Sequence, residues 1–437
     1  MQLSHNPTAS GAFYNISAAL AVASAALIAT PAQADWFEDD AGWQLDTALL
    51  YYGEDGARIT AVEGKIQAVR TNADDGALSM ALTLDALTGA SATGAVAQQQ
   101  AQTFTRPSGR GEYTTAAGDT PLDDSFQDTR LQLNLGWRQP INARWEYDIA
   151  SHLSKEYDYL SLGLSGGATY YWNKKNSALR VGASLFYDTI EPEGAIPLPL
   201  AQMPIRADYP SEQAFVEAFN ATRGNSSDNK RTAEISLGLT QVINRATVMQ
   251  FNYSYAQVDG YQTDPFKLVS VIDQTGTALR QLYESRPDQR SKHALFWQTK
   301  IHLGGPVLDT SYRLMTDDWG IDSHTLDLRF DYRFDKGHYL EPHLRYYRQS
   351  AADFYRPFLL EGASRPQYAT ADYRLAEMTT YTVGLKYGFP VGRSQQASLR
   401  LEYYVQTPEG DTGPGQLQSL DLYPQIKALM AQISYRF

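Results

Sequence analysis

From Trp43 to the end of the chain, apolar and polar residues alternate, a pattern typical of β-strands with one apolar and one polar face. The clearest example lies within Ile321 to Phe334. Its consecutive residues are Leu326, Asp327, Leu328, Arg329, Phe330, Asp331, Tyr332 and Arg333. The alternating segments run to about 10–13 residues, enough for a tilted strand to cross a membrane. Strands of soluble sandwiches average only about 5–6 residues.

We predict sixteen such strands, at 43–52, 57–70, 77–87, 128–138, 143–155, 159–172, 178–189, 230–242, 246–258, 292–303, 307–317, 321–334, 338–349, 375–389, 396–406 and 426–437. The connections after even-numbered strands are short and rich in Gly, Asn, Asp and Pro. All the long connections follow odd-numbered strands: 88–127, 190–229, 259–291, 350–374 and 407–425. This sorting predicts an all-β fold, a transmembrane antiparallel up-and-down β-barrel with long extracellular loops and short periplasmic turns. Fourteen or eighteen strands remain alternatives.

The N-terminal segment predicts export from the cytoplasm. Its first 34 residues contain no Lys, Arg, Asp or Glu, and an apolar run precedes Ala32 and Ala34, which are spaced for signal peptidase. We therefore predict a signal peptide at 1–34, a short periplasmic segment at 35–42 and an outer-membrane barrel at 43–437. So few residues before the first strand leave no room for an N-terminal plug domain.

The C-terminus predicts the same destination. Alternation continues to the last residue, and Tyr435 and Phe437 place aromatics at the antepenultimate and final positions. This resembles the targeting signal that the barrel-assembly machinery of the outer membrane reads. Aromatic residues also cluster at strand ends, as in the interfacial girdles of membrane barrels. We therefore expect the barrel-assembly machinery and outer-membrane lipids among the partners.

Composition narrows the classes of function. The 437 residues include 37 Lys and Arg against 49 Asp and Glu, a net charge of −12 that disfavours nucleic acid as a partner. The chain has no Cys, which excludes disulfides, thiolate metal sites and a cysteine nucleophile. After residue 34, no stretch approaches the roughly 18 consecutive apolar residues of a membrane-spanning helix.

Parity places a charged strip on the inner wall of the predicted barrel. Its residues are Asp309, Arg313, Asp327, Arg329, Asp331, Arg333, Glu341, His343 and Arg345. Two interpretations remain open: salt bridges that stiffen a wide barrel, or a charged strip that selects permeant solutes. The strands at 159–172 and 178–189 instead direct Gly and Ser inward, which leaves space for a folded loop, a partner segment or water.

A second set of candidate residues lies in the first long loop and at the outer rim. Its members are Asp85, Asp119, Asp123, Asp124, Asp128, Arg130, Glu156 and Asp158. The oxygen-rich run 119–128 is a candidate Ca²⁺ ligand segment, although it lacks the Gly and terminal Glu of an EF-hand loop. We assign no other cofactor, no metal site and no catalytic residue, because no ligand set, nucleophile constellation, dinucleotide fingerprint or P-loop is found.

Three ordered motifs resemble a known family. Residues 85–91 (DALTGAS) with 94–96 (GAV), 120–130 (TPLDDSFQDTR) and 156–163 (EYDYLSLG) look like the family called domain of unknown function 3570. The resemblance covers essentially the whole mature chain. It implies an outer-membrane-type barrel of Gram-negative bacteria with no assigned activity. It also suggests a gene context with a small lipoprotein and redox proteins, and it transfers no catalytic residue.

We therefore expect an outer-membrane pore for small polar solutes that is not an enzyme. The loop at 88–127, which exceeds the usual loop length, is expected to fold into the lumen and constrict it. The first alternative is a scaffold or conduit that houses or exports a small lipoprotein or redox partner. An outer-membrane hydrolase is the third.

Overall fold

The structure is a computed structural model that describes residues 43–56, 58–392 and 395–437. The predicted signal peptide, with Ala32 and Ala34, and the segment 35–42 lie outside the described residues.

Sixteen strands form one closed antiparallel barrel, so the predicted fold class and strand number are confirmed. In chain order the barrel strands are β1 (Trp43–Glu54), β2 (Thr60–Thr71), β3 (Ala77–Ala92), β6 (Leu122–Pro140), β7 (Trp145–Lys155), β8 (Tyr159–Trp172), β9 (Ser177–Ile190), β10 (Asp228–Asn244), β11 (Thr247–Gly260), β14 (Gln289–His302), β15 (Val307–Asp317), β16 (Asp322–Arg333), β17 (Tyr339–Gln349), β19 (Glu377–Pro390), β20 (Gln396–Glu409) and β21 (Ile426–Arg436).

The other strands and the α-helix lie in the long extracellular loops. They are the hairpin of β4 (Gln102–Thr105) and β5 (Glu112–Thr115), a helix α1 (Glu212–Ala221), and a sheet of β13 (Ala278–Tyr283), β12 (Leu268–Ile272) and β18 (Phe358–Leu360) in that order. In the described part of the chain, no helix is long and apolar enough to cross a membrane.

Pairing between the first and last strands closes the barrel. Their register runs from Asp46 opposite Arg436 to Glu54 opposite Ala428, so neither strand keeps a free edge. A closed ring is required in hydrocarbon, where an unpaired backbone N–H or C=O has no water to bind. Apart from register shifts near the ends of two pairings, the side-chain alternation stays in phase around the ring, and one face of every strand points inward.

Strands β3 and β6 are longer than predicted, reaching Ala92 and beginning at Leu122 instead of ending at 87 and beginning at 128. Their pairing continues past a register shift between Gly89 and Ser91. Gly89 has φ +134°, and a Cβ there would lie 1.9 Å from the carbonyl oxygen of Arg58. The glycine thus permits a close approach that lets the two strands rise above the neighbouring loop.

The outward face of the barrel is apolar and exposed. Leu164, Leu185 and Leu295 have 54%, 63% and 55% of their surface accessible, which suits contact with lipid tails and not with water. Aromatic rings lie at both ends of this band, Tyr51, Tyr187, Tyr381 and Tyr403 toward the long loops, and Trp145, Tyr332 and Tyr387 toward the short turns. Such girdles are characteristic of membrane interfaces.

Neighbouring residues of β8 provide a test of this arrangement. Leu164 faces outward and Ser165 faces the lumen. We expect Leu164→Lys to lower the free energy of unfolding by about 2–4 kcal/mol, because its ammonium lies in hydrocarbon, whereas Ser165→Lys changes it by less than about 1 kcal/mol. Urea titrations of the barrel refolded in lipid vesicles measure both. Equal losses for the two variants would contradict the assigned faces.

A charged lumen beneath a packed cap

All nine residues of the predicted strip lie on inward-facing positions of β15, β16 and β17. Ion pairs join most of them, with Arg329 Nε 3.3 Å from Asp327 Oδ1 and Arg333 Nε 3.1 Å from Asp331 Oδ1. Asp309 pairs at 3.1 Å with Lys300 of β14. Most charges of the strip are therefore paired, which accords with its stiffening interpretation.

His343 joins this network to the next strands of the ring. Its Nε2 lies 2.9 Å from Asp327 Oδ2 and its Nδ1 lies 2.8 Å from Glu402 Oε1. The imidazole can donate to both carboxylates only as a cation. Arg400 then contacts Glu402 and Glu341, each at 3.2 Å. Glu402 and Arg400, which lie on β20, complete the network although the sequence pattern did not single them out.

Two cations of the strip remain without a carboxylate partner. Within the described part of the chain, neither Arg313 nor Arg345 forms an ion pair, and both guanidiniums are exposed in the lumen. Their inward positions flank Thr325 and Asp327 of the intervening strand. After internal pairing, the strip therefore presents net positive charge to the lumen.

The opposite wall, formed by β7, β8 and β9, is lined by small residues. A recess of about 320 Å³ lies against it, lined by Ala150, Gly163, Ser165 and other short side chains together with His152 and Phe186. Arg180 extends along this wall and binds Asp148, with Nη2 2.6 Å from Oδ2. Arg180 lies against Gly167 and Gly182, and Phe186 lies against Gly163, so these two side chains partly fill the wall that we predicted to be uncrowded.

Five long loops form a structure that we call the cap, comprising residues 93–121, 191–227, 261–288, 350–376 and 410–425. Buried apolar side chains from different loops form common clusters. One joins Leu200, Val271 and Ala369, and another joins Val96, Ile272 and Leu417. Since the barrel directs its own apolar face toward lipid, the cap is where this chain builds a conventional hydrophobic core.

A buried ionic network connects two of the cap loops. Arg286 lies 2.6 Å from Glu284 and 2.7 Å from Asp372, and Arg374 lies 2.9 Å from Asp372 and 2.6 Å from Asp264. The side chains of Glu284 and Asp372 are fully buried. Against the effect of burial, Arg374 and the other nearby cations hold the pKa of Asp372 well below its usual range. Removing one arginine would leave a buried carboxylate unpaired, so the network fixes how the two loops pack.

Specific contacts attach the cap to the inner wall. Lys267 Nζ donates 2.5 Å to the carbonyl oxygen of Ala92 and 3.3 Å to Ser91 Oγ, at the end of β3. Gln349 of β17 donates to the carbonyl oxygens of Arg374 and Ala376, at 3.0 and 2.8 Å. Inward residues at the outer ends of many strands are buried, namely Asp85, Asp188, Val258, Ser323, Gln349, Met378, Gln406 and Ala428. The cap therefore covers the extracellular mouth of the barrel.

The loop at 88–127, predicted to constrict the lumen, supplies only part of this cap. Residues 93–98 pack against β12, where Leu268 donates its N–H to Thr93 O and Val96 donates to Ser270 Oγ. The hairpin β4–β5 packs against the loop that carries α1, since Thr105 donates to Pro204 O at 2.5 Å. The centre of the cap is instead the sheet of β12, β13 and β18, which arises from two other loops.

The structure divides the rim residues into separate groups. Arg130 Nε donates 2.8 Å to Asp85 Oδ2 inside the barrel. Arg106 of the cap lies 3.5 Å from Asp123 and 2.8 Å from Asp124, while Asp119 is exposed in a turn. Much of the candidate Ca²⁺ segment is therefore the outer end of β6, and two of its carboxylates face an arginine. In the described residues, no three acidic or histidine side chains are arranged to hold a metal ion.

Asp128, Glu156 and Asp158 do come together, in a cavity that we call the seam chamber. This cavity of about 640 Å³ lies between the cap and the wall of β2, β3, β6 and the β7–β8 loop. The cap contributes Asp264, Lys267 and Arg374 to its lining, among other residues. The chamber lies directly beside the contact of Lys267 with β3, so a change there affects the attachment of the cap.

Burial, and then the crowding of carboxyls, set the protonation of the chamber. Burial and the neighbouring Asp128, which shares a hydrogen bond with it, raise the pKa of Glu156 from 4.5 to about 7. Burial, Asp128 and Asp264 also raise the pKa of Asp158. Within the cap, burial raises the pKa of Glu284 to about 7 although Arg286 opposes the shift. The packing of the cap therefore depends on whether these carboxyls are protonated near neutral pH.

The C-terminal aromatics occupy the end of the closing strand. Phe437 donates its N–H to Leu45 O at 2.9 Å, and its ring centroid lies 4.6 Å from that of Tyr435. The targeting role of Tyr435 and Phe437 stays a prediction, as does that of Ala32 and Ala34.

Comparisons with known proteins give a family but no assigned activity. A family model described as "Protein of unknown function (DUF3570)" matches residues 17–437. No curated protein matches the chain in sequence.

The solved structures similar to this chain are remote. The siderophore receptor PirA of Pseudomonas aeruginosa is 8% identical over 90% of this chain, with a TM-score of 0.40, and this chain spans only 62% of it. A bacterial polysaccharide outer-membrane secretin is 10% identical with a TM-score of 0.40, covering 91% of this chain and 99% of the other. OpdK of P. aeruginosa is 8% identical with a TM-score of 0.38, covering 90% and 98%. These values are too low for any function to be transferred.

The raised pKa of Glu156 predicts a pH-dependent cap. The folded seam binds this proton more tightly than an exposed glutamate, so packing of the cap is favoured below pH 4.5 and weakens as pH rises toward 7. We expect the amides of 264–268 to exchange faster at pH 8 than at pH 5, after correction for intrinsic rates. Hydrogen exchange followed by mass spectrometry measures this.

Glu156→Gln should reduce this pH dependence, whereas Glu193→Gln, an exposed position in the same chamber, should leave it unchanged. Identical pH profiles for the wild type and Glu156→Gln would contradict the role of the chamber.

Proposed function

The chain belongs to the DUF3570 family, whose description names no activity, and from its barrel we propose that it is a gated outer-membrane channel for small polar solutes. The observation that carries the proposal is the combination of a polar, charged lumen with a packed cap over its extracellular mouth. A barrel whose only task was mechanical would not need a removable cover over a hydrophilic interior.

The attachment of the cap supports gating by movement and not by unfolding. The two apolar clusters described above and the ionic network of Arg286 and Arg374 lie within the cap, so they can stay intact while it shifts. The contacts that must break are those to the wall. They include the hydrogen bonds of Lys267 and Gln349 and the apolar cluster in which Phe354 and Leu375 of the cap pack with Trp319 and Ile321. The seam chamber lies beside the Lys267 contact and gives a solute its path between cap and wall.

The opening of the channel is coupled to the chamber's charge. When Glu156 ionises, it adds a negative charge beside Asp128 and Asp158. Asp158 in turn interacts with Asp264 of the cap. Repulsion between carboxylates then acts across the seam. We propose the outer membrane as the site of action, since the apolar outer band and its two girdles suit that environment.

A second candidate is a scaffold that houses a small lipoprotein or redox partner. The observation that favours it is the recess of about 320 Å³ along the wall of small residues, which a partner segment could occupy from the periplasmic side. A stoichiometric subunit that co-purifies from native membranes, and is lost when Ser165 is changed to Trp, would support this candidate. A bare, conducting polypeptide would support the channel.

Excision of one cap loop tests the channel directly. The ends of β11 and β14 are paired, with Asp259 opposite Gln289, so residues 262–287 can be replaced by two glycines without changing the barrel register. This removes β12 and β13, the centre of the cap. We expect the wild type to show rare, short openings in planar bilayers and the excised protein to conduct continuously, because the lumen is then uncovered.

The control is excision of 103–114, which removes most of the peripheral hairpin and leaves 93–98 in place. It should change conductance much less than the central excision. Retention of a heat-modifiable barrel band on gels verifies that each variant folds. A folded central-excision variant that does not conduct would overturn the proposed function.

A further inference from the structure

A recess in the periplasmic half of the lumen lies far from the cap and has no role in the function described so far. Its volume is about 540 Å³, within the range of small-molecule sites. It is lined by β1, β2, β19, β20 and β21, and it reaches the periplasmic rim at Tyr435 and Arg436. A solute can therefore enter it from the periplasmic side whether or not the cap opens.

The floor of this recess is made of short side chains on consecutive strands. Ala48 lies opposite Ser434, and Ser434 lies opposite Ser398, so one row across β1, β21 and β20 carries almost no bulk. Lys65 ends this row on β2, because it lies opposite Ala48. Space therefore exists in front of Lys65 where a ligand can lie.

Most of the charge around the recess is positive. Among the residues that the structure describes, Lys65, Lys386, Arg400 and Arg436 line it, against a single carboxylate, Asp46. Arg436 takes that carboxylate, with Nε 2.6 Å from Asp46 Oδ1. The described lining of the recess therefore holds no unpaired carboxylate to match its lysines.

The register explains why Lys386 is left unpaired. Lys386 lies opposite both Glu341 and Arg400, yet Arg400 takes Glu341 and also Glu402. The ammonium of Lys386 instead lies 5.2 Å from the ring centroid of Tyr339. In the described part of the chain Lys65 also has no carboxylate partner. Two lysines thus face the recess with their charge uncompensated.

Neutral hydrogen-bond donors complete the lining. Gln67, Gln396 and Gln432 carry amide N–H groups, and Ser398 and Ser434 carry hydroxyls. Gln432 already donates 2.9 Å to Ser434 Oγ, which leaves the serine hydroxyl hydrogen available. Amide and hydroxyl donors beside ammonium groups are the chemistry that binds carboxylate and phosphate oxygens.

We propose that this recess binds small organic anions bearing carboxylate or phosphate groups, and that Lys65 and Lys386 are its principal ligands. If the barrel is the proposed channel, these anions are its substrate class, and that part of the inference rests on the proposed function. Binding itself requires only the recess. Arg400 and Arg436 are held in ion pairs with carboxylates of the wall. Lys65 and Lys386 therefore supply the positive charge that the ligand neutralises.

The test is calorimetric titration of the detergent-solubilised, full-length barrel with two probes, citrate for carboxylates and pyrophosphate for phosphates. We expect at least one probe to bind with a dissociation constant no weaker than about 1 mM at low salt, and to weaken as salt increases. The double variant Lys65→Gln/Lys386→Gln should bind about tenfold more weakly, because two charge-assisted contacts are lost.

Two further variants make the result interpretable. Lys174→Gln/Lys175→Gln removes the same charge from an exposed periplasmic turn and should bind like the wild type. Lys65→Arg/Lys386→Arg keeps the charge and should retain binding, which separates a lost ligand from a disturbed fold. Citrate binding alone identifies a carboxylate site, pyrophosphate binding alone a phosphate site, and both a general anion site.

Failure of the wild type to bind either probe overturns the proposal, as does a folded glutamine variant that binds like the wild type. Because the recess opens to the periplasmic end, binding does not require conductance. An anion site in a barrel that never conducts would retain this inference and reject the proposed channel.

Discussion

The hydrogen-bonding demand of backbone in hydrocarbon governs the whole structure. Every strand must pair on both sides, so β1 joins β21 and the ring has no edge. Once the ring is closed, the alternation of side chains along each strand places apolar residues on the lipid side and polar residues on the inner side. The charged network of Asp327, His343 and Glu402 is therefore a consequence of closure, because charges placed inside need partners nearby.

The same constraint relocates the hydrophobic core. In a soluble barrel the apolar faces meet in the middle, but here they face outward and cannot pack on each other. Buried apolar residues such as Val269 and Leu282 consequently belong to the extracellular loops. The ionic network of Arg286 and Asp372 sits beside that core, where low polarity makes correct pairing decisive.

The sequence predicted the barrel well, because alternation and loop length are properties that each strand carries by itself. Parity also placed Asp327 and Arg345 on the inner wall. The cap was missed for a different reason: the segment around Leu268 to Tyr283 contains a short apolar run, a turn at Asp273 to Gly276 and a second apolar run, which is a hairpin pattern. A loop as long as 259–291 is unusual without secondary structure of its own, so its length together with this pattern could have indicated the hairpin.

Local sequence patterns do not predict contacts between residues that are far apart in the chain. Arg286 meets Asp372 across 86 residues of chain because two cap loops pack together, and Arg400 reaches Glu341 across 59 because β17 and β20 both flank β19. For the same reason the free lysines of the lumen were not visible beforehand. Lys386 is unpaired only because Arg400 competes successfully for the carboxylate opposite it.

The composition of one cap cluster sets the order of folding. Val96, Ile272 and Leu417 come from loops near the beginning, the middle and the end of the barrel sequence. Before β21 meets β1, the loops carrying these residues are tethered to an open sheet, and bringing them together carries the entropic cost of closing long stretches of chain. Closure of the ring already brings the ends of these loops together, so most of that entropy is lost before the cluster forms. The cap therefore matures last, and a half-inserted chain exposes a lumen that the finished molecule keeps covered.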